Sequence, residues 1–175
     1  MVNSFYSLLV DSEFAIFSSA LKCADFDIRH TPDNGLALAK KIADLSILEQ
    51  CEVAQSIKRL VVSSNYDPFI SDAACICLFA SQDFEELVSI AERSIKIYGC
   101  IRHNMARNFI CSLICQARWE DLGSFSRTHR ASLDKFSLNN WIALASRIRQ
   151  GDVATVSNSL TNGLELRFLL SALNT

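Results

Sequence analysis

Two prolines and five glycines, no glycine adjacent to another, are all the strong chain breakers in 175 residues. This scarcity constrains the fold more than any other feature. A β-architecture turns about every 8–12 residues and relies on Gly, Pro and Asn-Gly pairs to do so. Long runs of Ala, Leu, Ile, Ser, Lys and Arg favour helix instead. Half of the residues are hydrophobic and 21% are charged, which excludes a disordered tail and fits helices buried on more than one side. A chain of this length suits one domain that buries roughly 70% of the surface its unfolded form exposes. The expectation is an all-α single domain over residues 1–175.

Start and stop signals place eight or nine helices. A first stretch covers residues 3–24, restarting at Asp11, and residues 25–30 are loop. Thr31 before Pro32 opens a helix over 36–45, because proline at the first helical position loses no hydrogen bond. Ser46 with Glu49 is a capping box opening the helix to about Val62. Residues 65–68 break the chain, and Pro68 starts the apolar helix 69–80. Asp83 begins the next helix, which ends at Gly99, a C-terminal glycine cap. One helix is expected over 101–119, a short one over 120–129, and another over 138–150 closed by Gly151. Two short helices, 152–160 and 164–173, finish the chain.

Three segments share a pattern: Ser71-Asp72-Ala73-Ala74-Cys75, Arg107-Asn108-Phe109-Ile110-Cys111 and Asn139-Asn140-Trp141-Ile142-Ala143. Each opens with two polar residues, runs on as an apolar helix and passes through a short polar turn into a second helix. Their starts lie 36 and 32 residues apart. That spacing resembles the αα-hairpin unit of about 34 residues in tetratricopeptide-like solenoids and is shorter than HEAT units. The resemblance is one of architecture, covers residues 67–160, and implies stacked antiparallel hairpins. The tetratricopeptide consensus itself is not met. The run from Arg107 to Asp121 also resembles the helical repeats appended to bacterial antiviral reverse transcriptases, which implies a link to nucleic acid and antiviral defence. Nothing here resembles the polymerase.

Seven cysteines, an odd number, lie inside apolar helical patterns: Cys23, Cys51, Cys75, Cys77, Cys100, Cys111 and Cys115. They read as reduced thiols filling the core in a reducing compartment. The apolar N-terminal stretch lacks a basic lead and is interrupted by Asp11 and Glu13, so it does not read as a signal peptide. No apolar run approaches the roughly 18 residues that span a bilayer. The expected location is the cytoplasm, with no membrane partner.

The net charge of −2 conceals two opposed blocks. Residues 1–92 hold 14 acidic and 6 basic side chains, whereas residues 93–150 hold 3 acidic and 10 basic, eight of them arginine. Arginine's planar fork suits carboxylate and phosphate better than lysine's point charge. Arg107 and Arg118, eleven residues apart, are expected on one face of one helix. The residues expected to contact a partner are Arg102, Arg107, Arg118, Arg127 and Arg130. The bland alternative is that the acidic and basic halves pair with each other, within a chain or between copies. Phe109, Trp119, Phe125, Phe136 and Trp141 are interleaved with the basic residues, and aromatics at helical spacing usually belong to the core.

Catalytic signatures are mostly missing. Solitary glycines make neither a phosphate loop nor a dinucleotide fingerprint, and HExxH, GxSxG and the Rx4-6H pattern of helical ribonucleases do not occur. Cys100, His103, Cys111 and Cys115 nominally supply four zinc ligands, but no Cys pair comes from a tight turn. Cys75 and Cys77 point about 200° apart on a helix. His103 and His129 remain candidate bases for an unrecognised site. The reading is a non-catalytic adaptor, scaffold or regulatory subunit that needs no cofactor or metal and binds an acidic protein. The alternatives are a nucleic-acid binder, a subunit of an obligate complex or homo-oligomer with apolar residues 164–173 completing a shared core, and a small helical enzyme.

Overall fold

Where the chain carries a cap it starts a helix, and nine helices follow one another among the residues described by the computed structural model, 13–23 and 32–151. They are α1 (Phe14–Cys23), α2 (Pro32–Asp44), α3 (Ile47–Ser63), α4 (Pro68–Ala80), α5 (Phe84–Tyr98), α6 (His103–Cys115), α7 (Trp119–Thr128), α8 (Arg130–Lys135) and α9 (Asn139–Arg149). No strand occurs among these residues. The capping box at α3 is present in both directions: Ser46 Oγ accepts from Glu49 N–H, and the Glu49 carboxylate accepts from Ser46 N–H at 2.8 Å. The Ser46 hydroxyl, which donates to the same carboxylate at 2.7 Å, and the Ser46 N–H hold the Glu49 carboxyl below its ordinary pKa. Asp67 caps α4 by accepting from Phe69 and Ile70 N–H, and Pro68 follows at the first helical position. Asp83 precedes α5 as expected but makes no side-chain capping bond. The expected Asp11 and Thr31 caps and the helices over 152–160 and 164–173 lie outside the described residues.

Contacts divide the chain between Met105 and Ala106, within α6. On the N-terminal side α4 is the centre: it touches α2, α3 and α5, while α1 rests on α3. The reason is legible in its composition. Between Asp72 and Asp83 there is no charged residue, and a helix apolar all round is buried all round. Ile70, Ala73, Ala74, Cys75, Cys77 and Leu78 are all fully covered. The small residues let neighbours approach closely. At Gly35 of α2 a Cβ would lie 2.5 Å from Phe69 Cβ, so only glycine fits there. Lys58 of α3 pairs with Glu86 of α5 at 3.3 Å.

On the C-terminal side Phe109, Ile110, Leu113 and Ile114 of α6 are buried, as are Leu122 and Phe125 of α7 and Leu144 and Ile148 of α9. The Phe109 and Phe125 rings lie 4.6 Å apart in a tilted arrangement typical of favourable aromatic pairs.

The breaks between helices have a common build. Asn65, Gln82, Ala117 and Ser137 take positive φ, and each is followed by an N–H reaching back five residues. In the third of these, Ala117 N–H donates to the Ile114 carbonyl and Arg118 N–H to the Leu113 carbonyl, closing α6 with a Schellman turn. Gly99 and Gly151 end α5 and α9 with positive φ as well. Asn65 and Gly99 are 34 residues apart, Gln82 and Ala117 are 35, and Ala117 and Gly151 are 34.

Two expectations need correction. The helix expected over 101–119 is shorter, His103–Cys115, and α7 (Trp119–Thr128) is the short helix expected over 120–129. Arg107 and Arg118 therefore do not share a helix face: Arg107 lies within α6 and Arg118 is the N-cap of α7. The segment left without helix after His129 contains α8. The shared polar pairs also sit at different depths. Ser71-Asp72 and Arg107-Asn108 fall in the second turn of their helices, with Ser71, Asp72 and Asn108 buried, whereas Asn139-Asn140 open α9 and are exposed.

No helix among the described residues is long and apolar enough to cross a membrane.

Candidate partner-binding surface

Residues 106–151 carry seven basic and three acidic side chains, six of the basic ones arginine. The structure divides these arginines into two groups. Arg107 and Arg118 are engaged internally. The Arg107 guanidinium lies 5.8 Å from the Trp141 ring centroid, a cation–π contact that ties α6 to α9. Arg118 Nε donates to Asp121 Oδ2 at 2.7 Å, three residues on. That carboxylate neutralises the charge locally.

Arg127, Arg130, Arg147 and Arg149 are exposed and form no ion pair with any described residue. Arg127 and Arg130 stand three residues apart across the His129 junction between α7 and α8. Arg147 and Arg149 occupy the last turn of α9. Cations in a last turn also offset the partial negative charge of the helix C-terminus, which accounts for part of the role of Arg127, Arg147 and Arg149. Arg130 directly follows the C-cap of α7, whose end favours a cation, and opens α8, whose start disfavours one. Sequence reasoning counted Arg147 and Arg149 in the basic block but did not select them. Their exposure depends on which side of α9 buries Leu144, Ala145 and Ile148.

Arg102 belongs to the other side of the contact boundary. It precedes α6 and stacks on Phe69, its guanidinium carbon 4.1 Å from the ring centroid. Beside it lies Asp72, 4% exposed, whose carboxylate accepts from Met105 N–H at 2.6 Å and from Asn104 Nδ2 at 2.9 Å. Asp72 thus caps the first turn of α6 from another helix. Burial raises its pKa, and the bonds from Asn104 and Met105, with the charges of Arg102 and His103, partly offset that rise. Arg102 is part of this structural cluster rather than a bare surface cation.

The remaining candidates for chemistry are quiet. Cys75, Cys77 and Cys111 are fully buried, and desolvation pushes their thiols well above the ordinary range; Cys115 is pushed up to about 12. Such thiols stay protonated near neutral pH and are poor nucleophiles and metal ligands. Among the described residues no group of three or more His, Cys, Asp or Glu side chains is placed to hold a metal ion. The His129 ring rests 5.0 Å from that of Phe125, and burial lowers its pKa, so it adds little charge to the flanking arginines at neutral pH.

Compared with protein-family models, curated proteins and solved structures, the chain matches none.

Proposed function

We propose that this chain is a non-catalytic helical-repeat interaction module, an adaptor, scaffold or regulatory subunit, that binds an acidic protein segment through the arginines of residues 106–151. The intervals of 34 and 35 residues between left-handed helix ends support the repeat reading, since the first two each enclose two helices, while the third, from Ala117 to Gly151, encloses α7, α8 and α9. The observation that carries the binding reading is the set of exposed, unpaired arginines at 127, 130, 147 and 149 in a segment with only three carboxylates. Guanidinium groups held at a surface favour carboxylates in bidentate geometry and raise the encounter rate with acidic partners.

An acidic protein is favoured over single-stranded nucleic acid by the placement of the aromatics. Base recognition without sequence preference needs exposed rings for stacking. Here Phe109 and Phe125 are core residues, Trp141 is faced by Arg107, and Trp119 and Phe136 are half-buried, so none of the five rings is fully exposed. The test is affinity capture from host cells at low salt, with and without nuclease, using wild type and an Arg127→Glu/Arg130→Glu variant of equal helicity. A stoichiometric acidic protein retained after nuclease and lost with the variant is expected. Equal retention by both proteins, or retention of nucleic acid alone, overturns the reading.

A further inference from the structure

A second surface lies on the N-terminal side of the contact boundary, where the C-terminal ends of α3 and α5 meet. Three of the large apolar side chains exposed among the described residues sit there: Val62 is 59% exposed, Ile97 48% and Tyr98 42%. Hydrogen bonds bring Tyr98, the chain neighbour of Ile97, to the end of α3. Tyr98 Oη donates to the Asn65 carbonyl at 3.2 Å, and Asn65 N–H donates to the Val62 carbonyl at 3.1 Å. Tyr98 therefore folds over the end of α3 beside Val62. The neighbouring Tyr66 is held in the same way, since Arg93 Nη1 donates to its hydroxyl at 2.6 Å while the guanidinium lies 5.4 Å from its ring centroid.

Around these side chains stand Arg59, one turn before Val62, and Arg93 and Lys96, in the last turns before Ile97. All three are exposed, and none forms an ion pair with a described residue. An apolar centre with tyrosines, Arg93 stacked on one of them, and Arg59 and Lys96 nearby against the carboxylate of Glu92, has the composition of an interface hot spot. The aromatic rings are already fixed by hydrogen bonds, so a partner loses less side-chain entropy in ordering them.

We infer that this patch docks a second class of ligand segment: an amphipathic stretch of a partner protein that presents apolar side chains at helical spacing flanked by Asp or Glu. The apolar side chains cover Val62, Ile97 and Tyr98, and the carboxylates pair with Arg59, Arg93 and Lys96. This patch shares no residue with the arginines of residues 106–151, and the inference does not depend on them.

The probe is a fluorescein-labelled peptide of Leu, Phe, Asp and Glu arranged with one apolar and one acidic helix face, titrated with the full chain and followed by anisotropy. A second peptide has every Leu and Phe replaced by Ser. Wild type is expected to bind the first peptide at least tenfold more tightly than the second, whose carboxylates alone still pair with the arginines of residues 106–151. Ile97→Ser and Lys96→Glu, both at exposed positions, are each expected to weaken binding about tenfold or more, the loss of a single hot-spot contact. Arg127→Glu/Arg130→Glu is expected to weaken both peptides while preserving the difference between them, which separates this patch from the surface of residues 106–151. Failure to bind the first peptide, equal binding of the two, or no effect of Ile97→Ser and Lys96→Glu in folded protein overturns the inference. Self-association of wild type in sedimentation, abolished by Ile97→Ser, also overturns it by assigning the patch to a second copy of the chain.

Discussion

Asp72 carries its carboxylate where almost no water reaches it, and it stays there because the first turn of α6 and Asn104 supply the hydrogen bonds. Truncating it to Ala leaves the Met105 N–H buried without an acceptor and is expected to cost about 1–3 kcal/mol in urea unfolding. Asp72→Asn retains an acceptor and is expected to cost less. The pH dependence has a definite sign. Desolvation raises the folded pKa above 3.8, so the folded state binds this proton more tightly than the unfolded state does. The resulting stabilisation is full below 3.8 and is lost as pH rises through the elevated folded value. Wild type is therefore expected to gain stability relative to Asp72→Asn as the pH is lowered through that window. A difference between the two urea midpoints that stays flat with pH contradicts this account. The same residue-level reading separates Arg118, neutralised by Asp121, from Arg130, which forms no ion pair with a described residue although Asp134 lies one turn on.

At the scale of elements, the helix ends test the geometry most sharply. Ala117 adopts φ 54°, a conformation that costs an L-residue about 1–2 kcal/mol and glycine nothing. Ala117→Gly recovers that cost less the added flexibility of the unfolded chain, about 0.4–1 kcal/mol, so a net gain of about 0.5–1 kcal/mol is expected in chemical denaturation. A loss of stability would place residue 117 inside a continuous helix. Gly35→Ala forces a Cβ against the Phe69 Cβ across α2 and α4, and a cost of about 1–3 kcal/mol is expected from overpacking. Helices announced by local chemistry were legible in the sequence: the Ser46 capping box, Asp67-Pro68, Gly99 and the uncharged run that makes α4 central. The end of α6 was not, because Gln116-Ala117 contains no glycine or proline and its left-handed turn is held by backbone hydrogen bonds alone. That one misplacement put Arg107 and Arg118 on a common face. The basic character of residues 93–150 was legible from charge counting. Which arginines are spent on Trp141, Phe69 and Asp121 was not, since those contacts depend on how helices pack.

For the whole molecule, a net charge of −2 gives little long-range attraction or repulsion, and binding rests on local patches of opposite sign. Attraction to exposed arginines is screened over a Debye length of about 10 Å at 0.1 M salt, so affinity for an acidic partner is expected to fall as salt rises. The most direct measurement compares a labelled glutamate-rich peptide with a single-stranded oligonucleotide of equal charge, titrated against wild type and Arg127→Glu/Arg130→Glu at low and moderate salt. The account expects the peptide to bind more tightly than the oligonucleotide, with its affinity reduced by added salt and by the variant. Equal peptide affinity for both proteins, or a preference for the oligonucleotide, contradicts it.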